Sequence, residues 1–226
     1  MVTRYMVPAL VPLACYVEKR RLGQDTVFRF EEEIRRSRFI TSLGRASSRE
    51  EALSFVEAIR GEFPDATHNC WAFAAGAPGD TACIGQSDDG EPHGTAGKPM
   101  LNQLLFGKIG EIVAVTTRYF GGIKLGTGGL VRAYQGGVAQ ALELLPVKEK
   151  IIPVFLRVET DYARLNRIKR VLSDMDASIA EELFAENVCL TVSLSEELAE
   201  ACKQALMQVS DGTARISACE RYEAEE

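Results

Sequence analysis

The sequence predicts an α+β protein made of two modules, and three observations carry that expectation. The last third alternates strand and helix patterns in the order βαββαβ, the arrangement of a ferredoxin-like domain. Charge divides at the same place: residues 1–146 balance to net 0, whereas residues 147–226 carry all of the net charge of −6. Glycine divides as well, since 15 of the 19 glycines fall between Gly76 and Gly137. With 226 residues, 46% hydrophobic and 26% charged, the chain has enough apolar side chain for a proper core. That balance excludes a collagen-like chain, a largely disordered chain and a multi-span membrane protein. A net charge of −6 also speaks against a wholesale basic nucleic-acid binder.

The elements follow in order. Residues 1–24 are expected to be a tail. Within it, residues 6–17 are apolar and end near Cys15, in the manner of a lipoprotein signal, but only Arg4 precedes the run and Pro8 and Pro12 interrupt it. A poorly ordered tail or an early start is the preferred reading. Residues 26–35 and 38–46 read as strands. Ser48 with Glu51 forms a capping box, after which Ala52, Val56, Ile59 and Phe63 recur at helical spacing until Pro64. Residues 68–75 and 81–87 read as two strands joined by a Gly-Ala-Pro-Gly turn, and residues 96–106 as a short helix. Residues 112–117 are β-branched and almost uncharged, hence a buried strand. The glycine-rich stretch 121–129 then opens a helix with Leu130, Tyr134, Val138 and Ala141 on one face.

Pro146 and the charged Lys148-Glu149-Lys150 mark the expected boundary between a first domain, 25–146, and a second, 147–224. In the second, strands are expected at 153–160, 177–185, 188–194 and 213–222. One helix is capped by Asp161 and carries Leu165, Ile168 and Leu172. The other starts at Ser195, with a stripe of Leu198, Ala201, Cys202, Ala205, Leu206 and Val209. Six cysteines without a CxxC pair indicate a reduced, cytoplasmic protein with small buried thiols.

Three segments carry chemistry. Residues 65–73 hold His68, Cys70 and the single tryptophan, Trp71; residues 87–99 hold Asp88, Asp89, Glu91, His93, Thr95 and Lys98. Residues 117–134 hold Arg118, Tyr119, Gly121, Gly122, Lys124, Gly126, Gly128, Gly129 and Arg132. The glycines let backbone approach a ligand, and the helix they open turns unpaired amides toward an anion. Between residues 92 and 141, Lys98, Lys108, Arg118, Lys124 and Arg132 face only Glu111, a local net charge of +4. Phosphate recognition is the favoured reading over a tight turn with solvated charges. Neither GxxxxGK[ST] nor a complete GxGxxG is present. Asp88, Asp89, Glu91 and His93 invite a metal with His68 and Cys70, yet match no common zinc spacing and are also ordinary turn residues. No metal or cofactor is therefore expected. Cys70 as a nucleophile is chemically conceivable, but a buried thiol beside Trp71 is the better reading.

The segments SRFI (37–40), DATHNCWAF (65–73), SDDGEPHGTAGKPML (87–101) and TRYFGGIKLGTGGLVRAY (117–134) closely resemble the YigZ/IMPACT family, in order and over roughly residues 26–145. The resemblance implies a first domain of the ribosomal-protein-S5 domain-2 type. The acidic βαββαβ piece resembles the second domain of the YigZ branch, a ferredoxin-like module like one in a translational translocase. Eukaryotic IMPACT proteins are tied to control of translation initiation through an extra domain that this chain lacks. No catalytic residues are settled for the family.

The leading expectation is an RNA- or ribosome-binding protein in translational control, with Lys98, Arg118, Lys124 and Arg132 on phosphates and Tyr119, Phe120 or Trp71 stacking on bases. The acidic second domain would contact a protein partner, and no membrane is involved. The alternative is an enzyme on a small phosphorylated or nucleotide-like substrate, using Asp88, Asp89, Glu91, His68 or His93. A pure protein-interaction module is the third.

Overall fold

The computed structural model describes residues 4–12 and 25–219. The chain divides into two compact units, Tyr5–Lys150 and a second made chiefly of Ile151–Glu226.

In the first unit, β1 is Arg4–Pro8, β2 Phe28–Ile34, β3 Ser37–Arg45, α1 Arg49–Glu62, β4 His68–Ala74 and β5 Ile84–Ser87. After these come α2 (Gly97–Phe106), β6 (Ile112–Tyr119), α3 (Thr127–Leu144) and β7 (Val147–Ile151). Five strands form one sheet in the order β2-β3-β6-β4-β5, every pairing antiparallel. The central strand β6 is buried on both faces, which is why it reads as a nearly continuous apolar run. Ile112 and Ala114 enter the core beneath α2 and α3, while Val113 and Val115 enter the core beneath α1.

Ser48 begins α1 as expected: its hydroxyl accepts from the Glu51 amide at 3.2 Å. The Glu51 carboxylate accepts from the Ser47 amide at 2.6 Å, one residue before the cap. Ser48→Ala should therefore cost about 1 kcal/mol, read as a lower urea midpoint at an unchanged m-value.

The tail expectation needs correcting where the structure describes it. Arg4–Pro8 is a strand that pairs with β7, and Val7 and Leu10 are buried. The Ala9 amide donates to the Pro146 carbonyl at 2.8 Å. Val7 and Leu10, which read as part of a signal segment, are thus core residues, a distinction composition cannot make. Cys15 lies outside the described residues. Val147–Ile151, expected as a charged boundary, is a strand as well; Lys148 and Glu149 are exposed on a two-stranded ribbon, while Lys150 is half-buried against Glu111. Glu111 ties this ribbon to the sheet. Its carboxylate accepts from the Tyr5 hydroxyl at 2.8 Å, from Arg45 at 2.8 and 3.0 Å, and from Lys150.

In the second unit, β8 is Pro153–Thr160, α4 Leu165–Asp174, β9 Ser178–Phe184, β10 Val188–Ser195, α5 Glu196–Val209 and β11 Arg215–Cys219. The sheet order β11-β8-β10-β9, all antiparallel, is the ferredoxin-like one. Asp161 accepts from the Arg164 amide at 2.9 Å, so it caps the turn that leads into α4 rather than α4 itself. Cys202 and Leu206 are the buried residues of α5, whereas Leu198 and Ala201 are exposed. The helix starts directly after β10, which leaves its first turn at the rim of the sheet. The last strand is described to Cys219; the expected continuation to Tyr222 lies outside the described residues.

Candidate functional site

The start of β4 and the end of β6 lie side by side, with His68 opposite Arg118 and Cys70 opposite Thr116. Side chains alternate across a sheet, so His68, Cys70 and Arg118 share the face covered by α2 and α3. Trp71 falls on the opposite face, stacked on Phe73 at 5.9 Å over the core of α1. That placement separates Trp71 from the face that carries His68, Cys70 and Arg118. Tyr119 also alternates away from Arg118, and its hydroxyl donates to Asp65 at 3.0 Å.

The acidic segment is a turn held by its own carboxylates. Asp88 accepts from the amides of Gly94 at 2.7 Å, Gly97 at 2.9 Å and Ala96 at 3.0 Å, closing the loop and starting α2. Burial alone would raise its carboxyl; those amides, with His93 nearby, hold it below the usual carboxylate range. Asp89, at a φ of +43°, accepts from Arg60 and from the Asn69 amide, each at 2.7 Å. Thr95 is buried and donates to the Pro92 carbonyl at 2.6 Å. His93 is exposed, with Nδ1 3.8 Å from Asp88. The carboxylates the metal reading needed are thus spent on protein donors. No group of three ligands suited to a metal ion occurs among the described residues.

Glu91 lies at the centre of a buried network. Its Oε1 accepts from Arg118 at 2.6 Å and from the Tyr134 hydroxyl at 2.8 Å. Its Oε2 lies 4.0 Å from His68 Nε2. His68 Nδ1 stands 2.8 Å from the Asp89 carbonyl, which can only accept, so Nδ1 carries a proton. Cys70 Sγ lies 2.9 Å from the Asp88 carbonyl and 3.4 Å from the Tyr134 hydroxyl. Burial pushes the Cys70 thiol well above its ordinary value, leaving it a packing residue rather than a nucleophile. Arg118, expected on a phosphate, is instead only 6% exposed in its side chain and neutralised by Glu91.

The glycine-rich loop begins where this network ends. A Cβ on Gly121 would lie 1.8 Å from the Arg36 carbonyl, so only glycine permits the close approach. Gly122 and Gly126 have φ of +84° and +74°, and Gly126 caps α3 with its carbonyl accepting from Leu130. The amides of Thr127, Gly128 and Gly129 precede the first intrahelical bond, and the space around Gly128 is open. Lys98, Lys124 and Arg132 are exposed, and none is paired with a carboxylate among the described residues. The local positive balance survives, because Arg118 is neutralised by Glu91 while Glu111 is itself neutralised.

Two residues were missed from the sequence. Arg35 and Arg36 form the two-residue turn between β2 and β3, exposed and unpaired among the described residues, and the Arg36 backbone rests on Gly121. The available signal was the paired arginine at a hairpin turn, where Asn-Gly is the favoured chemistry.

Comparison with known proteins agrees with this layout. The model of the Impact N-terminal domain matches residues 35–142, and that of a domain of unknown function, DUF1949, matches residues 158–213. The chain is 46% identical over 189 residues to the IMPACT family member YigZ of Escherichia coli, covering 84% of this chain and 93% of that protein. It is 45% identical over 183 residues to an IMPACT family member of Haemophilus influenzae, covering 81% and 89%. A crystal structure titled as a hypothetical protein matches 98% of this chain and all of its own, with a TM-score of 0.70 at 40% identity. No helix among the described residues is long and apolar enough to cross a membrane.

Proposed function

The chain belongs to the IMPACT family, and from that premise we propose that it is a cytoplasmic RNA- or ribosome-binding protein acting in the regulation of translation. The observation that carries this reading is the set of exposed cations, unpaired among the described residues, that accompanies the glycine-rich loop. Lys124 lies in that loop and Arg132 in the opening turns of the helix whose first amides it bares, and both are exposed; Lys98 is exposed at the start of α2. Such a surface suits a phosphate chain, whose charge repeats along its length. The second unit, which holds the chain's excess of acidic groups, contacts a protein partner in this reading.

The test is RNA binding as a function of salt, with ribosome co-sedimentation beside it. Lys124→Ala combined with Arg132→Ala should weaken binding about equally across sequences. It should also lower the slope of log affinity against log salt by about 1.4 for single strands. Affinity that ignores salt, or that survives the double substitution, refutes the reading.

An enzyme acting on a small phosphorylated or nucleotide-like substrate is the second reading, favoured by His68 and Glu91 meeting beside the loop. Against it, Asp88 and Asp89 are engaged in ordinary turn hydrogen bonds and His93 is fully exposed.

A further inference from the structure

At the exit of β6 the Arg118 guanidinium lies 5.4 Å over the Phe39 ring and 5.5 Å over the Phe120 ring. Phe39 is buried, whereas Phe120 is 46% exposed. Glu91 anchors the guanidinium at 2.6 Å, and the Phe120 amide donates to Thr67 Oγ1 at 3.0 Å. Phe120 is therefore an exposed aromatic ring braced on one side by the Arg118 guanidinium, which lowers the ordering cost when something lands on it. Immediately next to it, the Gly121 amide donates to Ser37 Oγ at 3.3 Å and the Arg36 carbonyl packs on the Gly121 backbone. This brings the β2–β3 turn, with Arg35 and Arg36, alongside the ring.

That turn breaks its own local rule. Both arginines sit at positive φ, +48° and +64°, where a two-residue hairpin favours Asn-Gly. Nothing in the backbone asks for arginine there, and neither guanidinium is paired with a carboxylate among the described residues. We propose that this corner binds single-stranded RNA, an unpaired base stacking on Phe120 while Arg35, Arg36 and Lys124 hold the flanking phosphates. The inference rests on the RNA reading above and adds the form of RNA and the residues that select it. In a duplex the base faces are already stacked on one another, so an exposed ring gains nothing from them; an unpaired base offers its face. Arg118, neutralised by Glu91, acts as a positioning residue beneath the ring.

The test is fluorescence anisotropy on the full chain, using a labelled oligouridylate of about 12 nucleotides and a paired RNA duplex of similar length. Phe120→Ala should weaken binding of the single strand roughly tenfold without changing the salt slope, and Phe120→Trp should retain it. Arg35→Asn combined with Arg36→Gly suits the turn, so the hairpin persists, and it should lower the salt slope by about 1.4. Equal or tighter binding of the duplex overturns the inference, as does a Phe120→Ala protein that binds like the wild type. If Lys124→Ala with Arg132→Ala still weakens both RNAs in that event, the RNA reading stands and only this inference falls. A wild-type protein that binds neither RNA removes both.

Discussion

Glu91→Ala should destabilise the first unit by about 3–5 kcal/mol, the range for breaking a buried ion pair from one side. Arg118 is 6% exposed in its side chain and Glu91 3%, so removing the carboxylate strands a guanidinium that water cannot reach. The Tyr134 hydroxyl loses its acceptor in the same step. Trp71 is the chain's single tryptophan and lies in this unit, so its fluorescence in a urea titration reports the loss directly. Because most of the cost is the orphaned charge, adding Arg118→Met to Glu91→Ala should recover a large part of it. A Glu91→Ala protein with the wild-type urea midpoint, or a double variant no more stable than Glu91→Ala alone, refutes the account.

Glu111→Gln should cost about 3 kcal/mol, and its cost should depend on pH. Glu111 is 4% exposed in its side chain and gathers Tyr5, Arg45 and Lys150 from three elements. Burial would raise its carboxyl, but the hydrogen bonds from Lys150, Arg45 and Tyr5 prevail and hold it below the usual range. A folded value below the unfolded one, about 4.3, means that the stabilisation is fully present above that pH. It is lost as pH falls through the folded value. The stability curves of wild type and Glu111→Gln should therefore lie apart at neutral pH and converge below about pH 4.3. A gap that stays constant through that acid range contradicts the assignment.

Most of the element order was legible. The strands at Phe28–Ile34 and Ser37–Arg45, the helix capped by Ser48 and the βαββαβ run of the second unit all follow from periodicity and turn residues, which act over a few positions. Arg4–Pro8 was not legible as a strand, because its partner β7 lies more than 130 residues away and its apolar residues look alike in a signal segment and a core. Asp88 and Asp89 read as turn residues in preference to metal ligands, but spacing alone does not say what their carboxylates bind. Only the positions of the Gly94, Ala96, Gly97 and Asn69 amides decide between those roles.

By itself the sequence determined the two modules, the glycine-rich loop and the local excess of positive charge, since composition and short-range spacing carry that information. The tertiary structure decided which charges are available. Arg118 turns inward to meet Glu91, 27 positions earlier in the chain, and becomes a support. Arg35 and Arg36 arrive beside Gly121 from a hairpin more than 80 residues away. A charge is free or neutralised according to what lies within a few ångströms of it, and distances across a fold are set by strand pairing rather than by separation along the chain. The uneven charge of the sequence located the surface, and the pairing of β3, β4 and β6 determined which cations face outward on it.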